Sequence, residues 1–497
     1  MYVCGVWIVE NRFKGGVEVN RPSLNFLSEE EVEKIHNATL EVLENTGIKT
    51  DSRKALNVLK EAGANVDYEK KQATIPRNLV EEALKRAPKT VKLCGRDAKY
   101  DFVLSKKEPH FTTSGFAPFI TDWESGERRS STSEDLARWA RLVDYLDNLN
   151  ITWMSVCAND IPAPMRDLVE FVTALKNTGK HVEPEGLSAR KAQYQIEIAA
   201  VVVGGREELR QRPIFSAIQS PISPLKYDEG EIEAAIEFAK AGVPVVSLTM
   251  PLAGETCPVT SLGTVVVTNA DNLGSLVILQ FASPGAPVIY GASSTVANPR
   301  TGMCMIGAPE RSVIHMTLAQ LTRRYKLPCM LAGGNSDSKA PDIQAGFEKT
   351  MTLTTLMLTG GVDIVDGLGA IDSANTMCPE ALVIDNEIAR GVMRACRGLE
   401  VNDDNLAVDV IHKVGPGGIF LGEKHTLKHY KTEIWMPGLS DKNTYETWKR
   451  MGSRSMYEIS KEKVKEILAN HEPEPISEDV DKEISRILRR AEVELLN

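Results

Sequence analysis

From about residue 108 to residue 396 the chain alternates between two hydrophobic periods. Short apolar, β-branched runs read as buried strands: His110–Ser114, Ile151–Cys157, His181–Glu183, Ile214–Gln219, Val243–Met250, Pro287–Ala292, Leu327–Ala332 and Val362–Asp366. Between them apolar residues recur at helical spacing, over roughly 132–147, 164–178, 188–203, 228–241, 260–282, 309–325 and 343–359, with an eighth stretch over 379–396. Starts such as Ser133-Glu134-Asp135 and Asp228-Glu229-Gly230-Glu231 set acceptors and negative charge against the unpaired N–H groups that open a helix. Eight strand–helix units in succession predict the α/β class, a (β/α)₈ TIM barrel over residues 101–400. A doubly wound open sheet built from the same units is the alternative.

Both flanks have a different texture. Residues 1–100 predict a helical N-terminal extension. Ser28 and Glu31 form a capping-box pair ahead of Val32, Ile35, Thr39 and Leu43, and Gly47 is the expected stop. A second helix is expected from Pro76 to Arg86, with extended pieces at Ala73–Ile75 and Val91–Leu93. Residues 401–497 predict a loop-rich and helical C-terminal extension, with Gly415-Pro-Gly-Gly418 and then charged helices over 460–470 and 477–496.

Composition narrows the partners. Acidic residues outnumber basic ones, 68 to 58, for a net charge of −10, so nucleic acid and anionic membranes are not expected partners. The eight cysteines (4, 94, 157, 257, 304, 329, 378 and 396) form no CxxC pair, so neither a zinc site nor a disulfide framework is expected. Reduced thiols of this kind suit a cytoplasmic protein. The apolar run Val3–Val9 is short and lacks a basic flank, which predicts no signal peptide. The uncharged stretch Asn272–Pro299 is long enough to span a membrane, but Pro284, Gly285 and Pro287 break it into helix, turn and strand, so buried core is expected.

In a barrel the chemistry sits in loops at the carboxyl ends of the strands. Those loops hold Phe116, Asn159 with Asp160, Glu183 with Glu185, Gln219, Met250, Ser293–Thr295, Gly333–Asp337, and Asp366 with Asp372 and Asn375. Carboxylates and amides dominate, with Lys339 and Arg300 the only bases close by. No strand interior carries a lysine for Schiff-base chemistry, and no paired histidines end a strand to hold a metal. Such a mouth suits a cationic ligand that cannot donate hydrogen bonds. The glycine-rich corner at Gly333 and Gly367 leaves a phosphate-binding aldolase or isomerase open as an alternative.

Several segments carry a family resemblance: Arg21-Pro-Ser-Leu-Asn-Phe-Leu-Ser28, Thr46-Gly-Ile48, Ala73-Thr-Ile-Pro76, Thr113-Ser-Gly115, Pro221-Ile-Ser-Pro224 and Ala332-Gly-Gly-Asn-Ser-Asp-Ser-Lys339. From about residue 20 to 490 their order and spacing resemble the trimethylamine methyltransferase superfamily. The resemblance implies a (β/α)₈ barrel that moves a methyl group from an amine to the Co(I) corrinoid (cobalamin) of a separate corrinoid-binding protein. No cofactor would then be tightly bound to this chain. Members that use trimethylamine carry pyrrolysine, and this chain has only standard residues. That departure points to the branch acting on quaternary amines, with glycine betaine first and proline betaine or carnitine as alternatives. The resemblance implies catalysis by positioning, with no general acid or base and no metal on this chain. Under it Glu185, Asp337 and Asp366 would offset the ammonium charge, and Phe116 and Tyr290 would line its methyl groups. Asn159, Gln219, Asn335 and His425 would bind the substrate carboxylate. A homo-oligomer is expected, and a non-catalytic betaine-binding protein is the remaining class.

Overall fold

The computed structural model describes residues 23–496. Arg21, Cys4 and the Val3–Val9 run lie outside the described residues. Two compact units are distinguished: residues 393–436 among those described, and residues 23–392 together with 437–496. This division differs from the three segments read from the sequence.

All eight predicted strand–helix units are present in the larger unit, in order. They are β1 (His110–Thr113), α1 (Ser133–Tyr145), β2 (Leu149–Trp153), α2 (Arg166–Asn177), β3 (His181–Glu183), α3 (Ala189–Val203), β4 (Ala217–Gln219) and α4 (Glu229–Ala241). There follow β5 (Val245–Thr249), α5 (Ser261–Ala282), β6 (Val288–Ala292), α6 (Pro309–Tyr325), β7 (Cys329–Ala332), α7 (Ile343–Thr359), β8 (Ile364–Leu368) and α8 (Pro379–Ala395). The strands pair in the order β3-β2-β1-β8-β7-β6-β5-β4, all parallel. The β1–β8 pairing excludes an open sheet. Between β3 and β4 the bridges Val182↔Phe215 and Glu185↔Ile218 nearly close the ring, with Ile218 N donating to Pro184 O at 2.9 Å. Strand β2 ends at Trp153, which frees Met154–Ser155 to accept from Phe116 N and Ala117 N at 2.8 Å each. The apolar helix α5 is the one described helix long and apolar enough to cross a membrane, and it is buried within the protein.

The N-terminal segment is more than helical. The Ser28–Glu31 capping box opens the helix Glu29–Asn45 as expected, and Pro76 precedes the helix Arg77–Arg86. The sequence reading missed the helix Arg53–Ala62, although Ser52 caps it and Gly63 ends it in the left-handed region. Strand Ile48–Thr50 pairs with Gln72–Thr74 on one side and with Lys226–Tyr227, from the loop after β4, on the other. The hairpin Val91–Leu93/Phe102–Leu104 closes the amino-terminal end of the barrel. Phe102 stacks 4.1 Å from His110, and Cys94 O lies 2.8 Å from His181 Nδ1. At the other end of the chain, His471 Nε2 meets Asp144 on α1 at 2.8 Å, and the helix Glu478–Leu495 is fastened through Glu494 to Tyr194 on α3. With the lower end plugged, the carboxyl-terminal mouth is left for chemistry.

Candidate functional site

Side chains on a barrel strand alternate between lumen and helical layer, and residues in register on parallel neighbours share a face. That rule sorts the candidates. Gln219 and Tyr290 both pair with Ser247, so all three face the same way. Gln219 Oε1 accepts from Ser275 Oγ on α5 at 2.8 Å, and Tyr290 OH donates to Asn269 Oδ1 on α5 at 3.2 Å. Both therefore point into the helical layer and not at a ligand in the lumen, which corrects the sequence expectation. Within a buried strand both faces mix apolar and polar side chains, so periodicity gave no signal of which was which.

The opposite face lines the lumen. Trp153 and Glu183 are in register there, and Asp366 follows from β8. Glu183 is fully buried: Oε1 accepts from Ser216 Oγ at 3.0 Å, and Oε2 has no hydrogen-bond partner. Burial, reinforced by Asp366, pushes its carboxyl up to about 8. Asp366 Oδ2 is likewise without a partner. Burial pushes this carboxyl up to about 7, against the pull of Arg311. Arg311 reaches in from the start of α6 and is 1% exposed. It donates from Nη2 to Ser293 Oγ at 2.7 Å and from Nη1 to Ile306 O at 3.4 Å, while Nε is unpartnered. Asn335, after β7, is buried with Oδ1 unpartnered. Its amide lies against Gly367, where a Cβ would sit 2.3 Å from Oδ1 and the backbone takes φ +116°.

Phe116 stands at the mouth, its ring edge-on to Trp153 at 6.0 Å. Gly115 makes that possible, since a Cβ there would lie 2.3 Å from the indole. Glu185 is partly exposed above β3, and burial with Glu231, Glu170 and Asp167 nearby pushes it up to about 8. Phe116, Glu185, Asn335 and Asp366 all lie at the carboxyl-terminal ends of the strands, and Glu185 has the helix carboxylates Glu231, Glu170 and Asp167 as neighbours. Asp337 and Asn159 have other tasks. Asp337 accepts from Ile306 N at 2.9 Å, Gly307 N at 3.0 Å and Ser373 Oγ at 2.8 Å, so its charge clamps loops instead of waiting for an ammonium. Asn159 is exposed and donates to Pro118 O and Ser130 Oγ at 3.1 Å each, so it ties two loops together. His425 belongs to the 393–436 unit, where its Nε2 lies 2.8 Å from Asp404 O.

The clamp on Ser373 supports strained backbone. Asp372, Ser373 and Ala374 are consecutive non-glycine residues with φ of 56°, 54° and 64°. Left-handed conformations of this kind persist only where surroundings enforce them, and they cluster at functional loops. Here Asp372 N donates to Ser338 O at 2.7 Å and Ser373 N to Ser336 O at 3.2 Å. The turn borders a cavity of about 300 Å³ lined by Arg128, Lys339, Ile371, Asp372, Thr376 and Tyr457.

Two residues of this site were missed by sequence reasoning. Glu183 was noted at a strand end without a role. Arg311 lies in the first turn of α6 and not in a strand-end loop, so the strand-end rule does not reach it. Its signal was available: Arg311, Ile314, His315 and Leu318 form one buried stripe at helical spacing, and a charge inside such a stripe needs a partner. The phosphate alternative is disfavoured by the glycine corner itself. Gly333 N donates to Asp366 O at 2.9 Å and Gly334 N to Thr352 Oγ1 at 3.0 Å, so these amides are already engaged.

Comparison with known proteins gives the family and the fold. The family model described as trimethylamine methyltransferase (MTTB) matches residues 9–495. The trimethylamine methyltransferase MttB of Desulfitobacterium hafniense is 37% identical over 469 residues, 94% of each chain. A glycine betaine methyltransferase of Desulfitobacterium hafniense is 33% identical over 468 residues, 94% of this chain and 97% of that one. The solved monomethylamine methyltransferase (MtmB) of Methanosarcina barkeri shares the fold, with a TM-score of 0.54 and 14% identity over 92% of this chain and 90% of that one.

Proposed function

The chain belongs to the trimethylamine methyltransferase family, and from that premise we propose that it demethylates a quaternary amine bearing a carboxylate, glycine betaine first, and passes the methyl group to a corrinoid carried by a partner protein. The observation that carries this reading is the buried Arg311, whose charge acts on Asp366, together with Glu183, which Asp366 acts on in turn. The lumen holds a buried guanidinium with an unused N–H and two buried carboxyls with unused oxygens. A simple ammonium would satisfy the carboxyls and leave Arg311 wanting. A betaine offers one charge to each. The absence of pyrrolysine from the sequence favours the same branch.

The partner's Co(I) supplies the nucleophile: the N–CH₃ bond breaks, its electron pair stays on nitrogen, and the methyl group leaves on cobalt. The product amine is neutral, so no residue here has to donate a proton to it. This chain's residues bind, orient and exclude water. Glu183 and Asp366 balance the ammonium, Arg311 and Asn335 receive the carboxylate, and Phe116 with Trp153 presents aromatic surface to the methyl groups.

The test mixes the protein with the cognate corrinoid protein, or with Co(I)-cobalamin, and offers glycine betaine, proline betaine, carnitine or trimethylamine in turn. Consumption of Co(I) together with release of a tertiary amine from one of the betaines is expected. Turnover of trimethylamine alone overturns the proposal. Arg311→Met provides the sharper arm: it lowers kcat/KM for the betaine at least about a hundredfold, the scale of a lost charged hydrogen bond. Binding of carboxylate-free tetramethylammonium should not weaken.

A further inference from the structure

In the 393–436 unit, Asp404, His425 and His429 each place a possible ligand atom within 4.8 Å of the others. The two histidines are one turn apart on the helix Lys424–Glu433, so both rings leave the same face, with centroids 4.3 Å apart. His425 Nε2 is 2.8 Å from Asp404 O. His429 Nε2 lies 2.9 Å from Asp404 Oδ2, at an angle that makes no hydrogen bond, and is closed off from solvent. Two imidazoles and a carboxylate form a ligand set for a borderline divalent transition ion. Magnesium and calcium take oxygen ligands instead.

A second observation points the same way. None of residues 397–436 is buried, and Leu399, Val401, Leu406, Ile411 and Leu427 are all exposed. A segment without a core of its own gains most from a cross-link. We propose that Asp404, His425 and His429 bind a divalent transition-metal ion, zinc by its preference for this geometry, which fastens the helix Asp403–Leu406 to the helix Lys424–Glu433. Three protein ligands leave a fourth position for water. Lys428 holds Asp404 Oδ2 at 2.6 Å and must give up that oxygen when the ion binds. The lysine is therefore a built-in competitor, and its removal strengthens the site.

The experiment uses tag-free, full-length protein stripped with a chelator and titrated with Zn²⁺ by calorimetry, with protease cleavage within 397–436 followed in parallel. The expected result is uptake of one equivalent, slower cleavage in that segment, and binding weakened at least about tenfold in His425→Ala and His429→Ala. Lys428→Ala tightens binding several-fold, a gain that misfolding cannot produce. His412→Ala, on the neighbouring helix Val408–Val414, leaves binding unchanged. No stoichiometric uptake, uptake indifferent to both histidine variants, or weaker binding in Lys428→Ala overturns the proposal.

Discussion

Replacing Glu183 with glutamine separates the charge of the lumen from its shape. Burial holds the carboxyl at about 8 against an ordinary 4.5. At pH 7 the unliganded barrel therefore keeps Glu183 protonated in about nine molecules of ten. Keeping the proton at pH 7, about 2.5 pH units above the ordinary 4.5, costs about 3 kcal/mol of folding stability. The sign follows from proton counts. The folded pKa lies above the unfolded one, so the folded chain binds more protons between about pH 4.5 and 8, and stability falls as pH rises through that window. Glutamine is neutral throughout and keeps an acceptor for Ser216 Oγ. Glu183→Gln should therefore raise stability at pH 7, by up to about 3 kcal/mol, and flatten its pH dependence. A cationic substrate reverses the preference, because the carboxyl must ionise to meet it. Betaine binding to the native protein should release about 0.9 proton from Glu183 and about half a proton from Asp366 at pH 7, and affinity should rise about twentyfold from pH 7 to 9 before levelling. In Glu183→Gln the release falls to the half proton that Asp366, at about 7, supplies. Calorimetry in two buffers of different ionisation enthalpy reads the protons, and thermal unfolding at several pH values reads the stability. Binding by the native protein without buffer-dependent heat, or equally tight binding by Glu183→Gln, would refute the reasoning.

Three further substitutions probe the walls of the site. Gly367→Ala forces a side chain into φ +116° and against the Asn335 amide, so it should cost about 2 kcal/mol or more of stability and lower kcat/KM at least tenfold, measured by melting and turnover. Asp337→Asn turns a donor toward Gly307 N and should cost about 1–3 kcal/mol. Amide exchange at Gly307 and Ser373 should speed up in that variant, and exchange unchanged there would show that the clamp is not what holds the turn. Phe116→Ala should raise KM for a quaternary amine about tenfold with kcat nearly intact, the size of one partly buried cation–aromatic contact.

How much of this was legible in the sequence depended on what each signal averages over. The barrel was legible because eight strands and eight helices repeat one statement, and an error at any single boundary leaves the count unchanged. The strand-end position of Asp366 and the loop position of Phe116 were legible for the same reason. Side-chain direction was not, since one residue of register decides it. Gln219 and Tyr290 fell on the wrong side by that single step. Asp337 and Asn159 show a different limit. Both sit in mouth loops as expected, but a carboxylate or amide in a loop must first satisfy nearby polar groups, and the partners it meets, donors for Asp337 and acceptors for Asn159, come from residues about 30 or more positions away.

The same competition explains why the reacting groups were the harder ones to find. A polar group that folding has satisfied is no longer available to a ligand. The groups that remain available are those folding left unpaired, at a cost in stability, deep in the lumen: Glu183 Oε2, Asp366 Oδ2, Arg311 Nε and Asn335 Oδ1. Glu183 lies in a buried strand and Arg311 on a buried helical stripe, where hydrophobic pattern shows only core, whereas Asn335 and Asp366 stand at strand ends and were legible there. Compensation of charge limits that cost. Arg311 offsets Asp366, and burial keeps Glu183 protonated at pH 7, so these groups together carry little net charge. A ligand with both signs of charge can replace the proton and meet the guanidinium in one event. A ligand with only a positive charge completes half of the arrangement, and a neutral one completes none of it. On the proposed reading, selectivity for a zwitterion would then rest on groups already buried.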